Sequence, residues 1–434
     1  MIKVVIVGGG FAGVSLARGL RRWRKRMSVT LVSRQNYMLF TPMLPEAATG
    51  SIEMRDIVQP LRAQLRDTHF ELGEALGADL EKHTLHVRHP MTGETRDIPY
   101  DELVFALGST SSTMGVAGVE EHAIPLKTAV DAQRLRNRII GSLEVAAATN
   151  DVVERDRLLR FVVVGGNFTG VEAVGELRAF LENTLKYYPG LTGSDVVLLQ
   201  DGEHLLSHLP PKFGKYAAAA LRGRGVQIEL HAKASSVDDR GIDLEGGKRF
   251  ESRNVIWAAG EEPAPLAKAL GLETDEHGAL KVAPDLSVAG HDHVWALGDC
   301  AAVPKPDGGT YPPLAQNALR EGPALAKNIA RRTRKKKTKP FRYRMLGQMA
   351  SLGDRQALAE LPGGRMLTGR LAWVLWRSYY LGRLPGLNRK ARVAVDWTLE
   401  LAFPPDFSRL PMVEKGETSF SMGDDALRQA QGDN

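Results

Sequence analysis

Residues 4–14 read VVIVGGGFAGV and residues 161–171 read FVVVGGNFTGV, one pattern stated twice, 157 residues apart. Each copy opens on an apolar run suited to a strand buried on both faces. A Gly-rich turn follows, then an apolar-periodic helix (VSLARGLRRW in the first copy, VEAVGELRAFL in the second), then a second strand, SVTLVS at 28–33 and DVVLLQ at 195–200. Two such βαβ units predict an α/β chain with two Rossmann-like dinucleotide-binding domains.

The stretches between the copies show how the domains are threaded. Residues 70–105 alternate short strands with polar turns and end in the buried strand LVFALGS; the same texture recurs after the second copy and ends in NVIWAAG. A third such strand, HVWALGDCA at 293–301, precedes a helix expected to start near Pro313 or Leu314. Strands ending in ALGS, WAAG and ALGD read as chain crossings between nested folds. The second nucleotide domain, 116–260, is then inserted into the first, 1–115 plus 261–338. A C-terminal α+β region, 339–410, carries a predicted short strand pair and one or two amphipathic helices split near Pro385. The polar tail 411–434 is expected to be disordered.

The glycines carry the chemistry. Gly8, Gly10 and Gly13 are spaced G-x-G-x-x-G directly after a strand. Gly8 permits the tight turn, Gly10 lets the backbone approach a diphosphate, and Gly13 lets the helix pack on the sheet. The helix start, with Phe11 and Ala12, offers free N–H groups to that diphosphate. The second loop has Gly165, Gly166, Asn167 and Gly170, so Asn stands at the middle position. Asn tolerates a left-handed backbone, and its side chain is expected to intrude where a phosphate would approach. At the ends of the second strands stand Ser33 with Arg34, and Gln200 with Asp201. Ser33 can bond a ribose hydroxyl and Arg34 can stack on an adenine or meet a phosphate. Asp201 and Glu203 would repel a 2′-phosphate, which favours NADH over NADPH. Ala106 and Gly108, Ala259 and Gly260, and Gly298 and Asp299 end the three crossing strands and are expected to border the nucleotides.

Composition excludes several alternatives. With 43% hydrophobic and 25% charged residues the chain can build ordinary cores. The lone Cys300 rules out a disulfide framework or a redox cysteine pair and fits a reducing compartment. The N-terminal apolar run is too short for a signal peptide and turns at once into glycines; with no stretch of about 18 apolar residues either, a cytoplasmic chain is expected. His83, His86 and His89 are spaced in threes, which a strand does not gather on one side, so no metal site is expected.

GGGFAG, NYMLFTPMLPEAATG (36–50), YDELVFALGS (100–109), VVVGGNFTGVEAVGEL (162–177), VIWAAG, ALGDCA, PPLAQNALREG (312–322) and LTGRLAWVLW carry a resemblance. From residue 2 to about 403 the chain resembles the type II NADH dehydrogenases. These are single-subunit, non-proton-pumping NADH:quinone oxidoreductases among the two-dinucleotide-binding flavoproteins. The resemblance implies FAD at the first loop, NADH at the second, and electron transfer from NADH to a membrane quinone. It implies that Asp299 bonds the ribityl–diphosphate region, that Thr41 and Pro42 lie near the isoalloxazine, and that Ala315 and Gln316 line the flavin and the quinone entrance. A helix starting after Pro313 would aim its positive end at the flavin and favour its anionic reduced form. Glu172 is the acid the resemblance places near nicotinamide and flavin; the alternative is an acid held in the first helical turn by the dipole.

The net charge of +6 suggests affinity for anionic surfaces. The basic run RRTRKKKTK (331–339) is a solvated loop or a contact for anionic lipid. In residues 371–403, Trp373, Trp376, Tyr379, Tyr380 and Trp397 interleave with Arg377, Arg383, Arg389, Lys390 and Arg392. Such mixtures suit a helix lying in a membrane interface, here as a peripheral protein on the cytoplasmic face of the cell membrane. The same helices could instead cover the chain's own core or form a homodimer contact. Two other functions compete: a soluble NAD(P)H:acceptor flavin reductase, and a basic membrane- or nucleic-acid-binding flavoprotein with vestigial redox activity. No nucleic-acid module is recognisable, so no nucleic-acid partner is expected, and a sulfide:quinone chemistry would need more cysteines.

Overall fold

The computed structural model describes residues 1–410, so the expected disordered tail lies outside the described residues. The first βαβ unit is β1 (Ile2–Val7), α1 (Phe11–Leu20) and β2 (Met27–Ser33). A short helix α2 (Leu44–Thr49) follows, then β3 (His69–Leu72) and β4 (Glu102–Phe105). The chain crosses through Ser109–Ser111 into β5 (Ala123–Pro125) and the long helix α3 (Ala129–Ala148). The second unit is β6 (Arg160–Val164), α4 (Phe168–Thr184) and β7 (Asp195–Leu199), continued by β8 (Val226–Glu229) and β9 (Asn254–Trp257). Glu261–Pro263 then runs antiparallel to Ser109–Ser111, so the outgoing and returning segments form one ribbon. The chain re-enters the first sheet as β10 (Val294–Ala296) before helix α5 (Ala315–Arg332).

Both sheets are parallel and five-stranded, ordered β10-β4-β1-β2-β3 and β5-β9-β6-β7-β8. A late strand, β10, completes the early sheet, which is the nesting that the three crossing motifs predict. Their central strands are buried on both faces, as apolar runs require. Gly19 lets α1 close onto α5, since a Cβ there would lie 2.9 Å from the Ala326 side chain.

The predicted C-terminal strand pair is a three-stranded antiparallel sheet: β11 (Met349–Gly353), β12 (Gln356–Leu361) and β13 (Arg365–Thr368). The third strand was hidden in the sequence because it runs straight into helix α6 (Gly369–Arg383). Helix α7 (Leu387–Leu399) follows a break at Pro385 and Gly386. Among the described residues no helix is long and apolar enough to cross a membrane.

The mixed aromatic face expected for the membrane is divided. Trp376 is 1% exposed and Trp397 is buried against it, while Arg377 lies over the rings of Trp373 and Trp397 at 4.1 and 4.6 Å. Arg389 turns inward to Asp56 at 2.8 Å. These aromatics and cations therefore belong to the protein's own core. The large apolar side chains that face outward are Leu371, Val374, Leu387 (85% exposed), Val395, Leu399 and Phe403, none of them a tryptophan or tyrosine.

Candidate functional site

The first Gly-rich loop is shaped by contacts only glycine survives. Gly8 has φ +120°, and a Cβ there would lie 2.0 Å from the Ala106 carbonyl oxygen; a Cβ on Gly13 would lie 2.0 Å from the Gly8 carbonyl oxygen. At Gly10 the space is open. Gly10 caps α1 without a side-chain bond, and no acid occupies the first turn beyond Phe11, Ala12 and Gly13. The helix start is thus a set of N–H donors that no side chain caps, with a positive end, a fit for a diphosphate. Ser33 sits beside this loop, its Oγ 2.8 Å from where a Gly9 Cβ would be, and it accepts the Gln35 N–H at 3.4 Å. Arg34 is exposed and lies 4.0 Å from the Glu74 carboxylate.

The crossing strands arrive at the same edge. Ala106 touches Gly8, Gly108 has φ +69°, and Gly298 has φ +74°. The Gly298 N–H donates to Glu321 at 2.7 Å, and burial pushes the Glu321 carboxyl up to about 7. Asp299 accepts from the Ser109 hydroxyl at 3.3 Å; burial raises its pKa, with Lys127 opposing. Lys127 bonds Ser109 at 2.9 Å and Glu261 at 2.7 Å, tying both crossing segments to Asp299. Lys127 lies outside every motif, so only the tertiary contact reveals it.

The second loop repeats the first with one change. Gly165 has φ +107° against Ala258 and Ala259, and a Gly170 Cβ would lie 1.7 Å from the Gly165 carbonyl oxygen. Gly260 likewise admits no Cβ, which would lie 2.5 Å from Met114. Asn167 has φ −85°, so its tolerance of a left-handed backbone is not used. Its side-chain carbonyl accepts from the Ser207 hydroxyl at 3.0 Å and leaves the α4 start uncapped. Gln200 is buried, its carbonyl accepting the Gly166 N–H at 2.7 Å and its amide donating to Asp201 at 2.9 Å. It braces the loop, leaving Asp201 exposed at the strand end.

Beside the segment that leads into α5 lies a cleft of about 950 Å³, bordered by His208, Lys305, Leu314, Arg342 and Gln348. Ala315 opens α5, and the Gln316 side chain is held between Gly347 (3.3 Å) and the Tyr343 hydroxyl (3.4 Å). Thr41 and Pro42 form a 3₁₀ turn directly after Phe40. Phe40 packs edge-on to Phe11 at 5.6 Å and to Tyr380 at 6.1 Å, which joins the first loop to the C-terminal region.

Glu172 is not in the first turn of α4, so the dipole does not explain it. It is buried, and one oxygen accepts the Ser351 N–H at 3.0 Å and the Trp376 indole N–H at 3.3 Å. Burial pushes it up to about 8. One turn on, Glu176 accepts from the Ser351 hydroxyl at 2.9 Å and is pushed up to about 7, again chiefly by burial. Glu46 of α2 is also buried, and its pKa is raised by desolvation and by Glu176. Sequence reasoning missed Glu46 and Glu176; the i, i+4 spacing of Glu172 and Glu176 was the available sign. Cys300 is buried and pushed up to about 12 by desolvation, an inert thiol.

Comparison with known proteins agrees with this geometry. The pyridine nucleotide-disulphide oxidoreductase family matches residues 2–322, and the NDH2 C-terminal domain matches residues 345–403. The chain is 34% identical to the type II NADH:quinone oxidoreductase NdhA of Mycobacterium tuberculosis, over 91% of this chain and 86% of that protein. It is 32% identical to a probable NADH dehydrogenase of Dictyostelium discoideum, over 94% and 91%. The fold superposes on the NDH2 of Plasmodium falciparum, solved in complex with NADH, with a TM-score of 0.88 and 20% identity, covering 94% of this chain and 99% of that one. With two Gly-rich loops on nested parallel sheets and relatives of this kind along nearly its whole length, the chain belongs to the type II NADH:quinone oxidoreductases of the pyridine nucleotide-disulphide oxidoreductase family.

Proposed function

We propose that this chain oxidises NADH and reduces a membrane quinone, with FAD held at the first loop and NADH at the second. The observation that carries the reading is the pair of uncapped Gly-rich helix starts, each at the carboxyl edge of its own parallel sheet. The first loop fits FAD: Gly10 leaves room for the diphosphate, Ser33 flanks the adenosine side, and Asp299 with Gly298 and Gly108 borders the ribityl side. FAD, when bound, supplies a two-electron carrier between the nicotinamide and the quinone. The chain's own residues position the partners. Gly165, Gly166, Asn167 and Gly170 present N–H groups to the NADH diphosphate, with Ala259 and Gly260 beside them at the end of the crossing strand. Thr41, Pro42, Ala315 and Gln316 border the flavin ring and the quinone entrance, and α5 directs its positive end there. Hydride transfer then requires van der Waals stacking more than an acid or base.

The reaction is a non-pumping one in this reading, carried out by a monotopic protein on the cytoplasmic face of the membrane. The purified protein is expected to carry one FAD per chain and to reduce a soluble ubiquinone analogue with NADH. NADH oxidation with dyes alone would instead favour a soluble acceptor reductase, and binding of flavin without turnover a vestigial site.

NADH is expected to exceed NADPH in kcat/KM by at least tenfold, because Asp201 stands exposed at the strand end and Glu203 follows it. Asp201→Asn should narrow that ratio by raising the NADPH value; equal ratios before and after would remove Asp201 from donor selection.

A further inference from the structure

The Asp299 carboxylate belongs to the first domain, and the cation beside it comes from the inserted one. Lys127 follows β5 of the second sheet, and its backbone N–H donates to Asp131 at 3.2 Å, within the box in which Thr128 and Asp131 cap the start of α3. With its backbone fixed by that cap, Lys127 sends its side chain to Ser109 and Glu261, one on each of the two crossing segments. We propose that Lys127 is a positioning residue for the flavin: it satisfies Glu261, turns the Ser109 hydroxyl onto Asp299, and keeps Asp299 a charged acceptor for the ribityl hydroxyls. The inference rests on the proposed FAD site at the first loop.

Counting hydrogens gives each bond its direction. A serine hydroxyl has one hydrogen, and Ser109 Oγ lies within reach of two carboxylates, Glu261 at 2.9 Å and Asp299 at 3.3 Å. An ammonium has three hydrogens and accepts none. Lys127 donates to Glu261 at 2.7 Å and to Ser109 Oγ at 2.9 Å. Glu261 is thereby satisfied, and the single serine hydrogen is left for Asp299. Without the cation, the nearer acceptor, Glu261, takes that hydrogen. Asp299 then loses the one side-chain donor it has among the described residues.

Charge works in the same direction. Three carboxyl groups meet here: Asp299 after β10, Glu261 on the returning segment, and Glu321 of α5, which accepts the Gly298 N–H at 2.7 Å. Cys300, buried next to Asp299, is a neutral thiol. Burial raises the Asp299 pKa and Glu261 raises it further, while Lys127 and the Ser109 bond oppose them. Removing the cation therefore moves the protonation of Asp299 upward, toward neutral pH. A protonated Asp299 puts a neutral group where a charged acceptor stood, and charge-assisted hydrogen bonds are about twice as strong as neutral ones.

The test dilutes the flavin-loaded enzyme and follows FAD release as recovered flavin fluorescence from pH 6 to pH 9. The wild-type rate is expected to vary less than about twofold over that range, because Lys127 keeps Asp299 ionised throughout. Lys127→Met should release FAD about tenfold faster at pH 7, faster still at pH 6, and close to the wild-type rate at pH 9, where Asp299 ionises without help. Lys127→Arg, which keeps the charge, should restore a flat profile. In an Asp299→Asn background, Lys127→Met should change the rate by less than about twofold, since its effect runs through Asp299. If Lys127→Met does not fold, Ser109→Ala carries the test, with faster release that grows as pH falls. A wild type that holds no FAD overturns the proposed cofactor site itself. A wild type that holds it overturns the role of Lys127 under any of three results: Lys127→Met releases FAD at the wild-type rate, the loss is equal at every pH, or the loss persists in the Asp299→Asn background.

Discussion

Replacing Gly13 by alanine is expected to give a colourless protein. The added Cβ would meet the Gly8 carbonyl oxygen at 2.0 Å, and Gly8 is itself packed so closely on the Ala106 carbonyl that a Cβ of its own would lie 2.0 Å from that oxygen. Backbone meets backbone on both sides, so no side-chain rotation relieves the clash. Overpacking of this kind costs about 1–3 kcal/mol even where side chains can move. Here the helix must lift off β1, and the N–H groups aimed at the diphosphate move with it. Flavin affinity is expected to fall by at least a hundredfold, with a lower melting temperature. Gly10→Ala is the informative contrast, because nothing lies within 4 Å of its added Cβ. That variant should keep its melting temperature without flavin and still bind FAD more weakly, since the methyl enters the space left for the phosphates. The absorbance ratio of flavin to protein after gel filtration measures both. A fully flavinated Gly13→Ala protein would mean the first loop is not where the flavin is held.

The outward apolar residues of α6, α7 and the turn after α7 are expected to hold the protein on lipid. Changing Leu387, Leu399 and Phe403 together to glutamate should move it from vesicle pellet to supernatant. Each such side chain contributes about 1.5–3 kcal/mol on full burial, so losing three weakens partitioning by about a thousandfold or more. NADH oxidation with a soluble dye should stay within twofold, because none of the three contributes to the core. High salt should release the wild type only in part: it screens Arg383 and Arg392 but leaves the apolar area in place. Truncation of the whole region is the poorer experiment, because Ala372, Trp376 and Val393 are core residues and Trp376 holds Glu172. A triple variant that still pellets with vesicles but has lost a dimer would reassign this face to a subunit contact.

What the sequence determined is what local sterics determine. A Gly-rich turn after a doubly buried strand admits few backbones, so VVIVGGGFAGV and FVVVGGNFTGV identified both sheets and both Gly-rich turns, and the three crossing strands identified their nesting, without knowledge of any distant contact. The C-terminal helices were equally visible as helices, from their period and the break at Pro385. Which of their faces turns inward was not. Trp376 and Leu387 both look like membrane anchors in one dimension, and only the packing of α6 on β12 and of α7 on the α2–β3 segment sends the first into the core and the second out. Asn167 reads as an obstruction in one dimension, and only the fold brings the Ser207 hydroxyl, forty residues on, to its side-chain carbonyl. Glu172 looked like either a catalytic acid or a dipole partner. Its burial, its bond to Ser351 across 179 residues and its union with Glu176 and Glu46 exist only after folding, because burial sets the charge of a carboxyl and burial belongs to the tertiary structure.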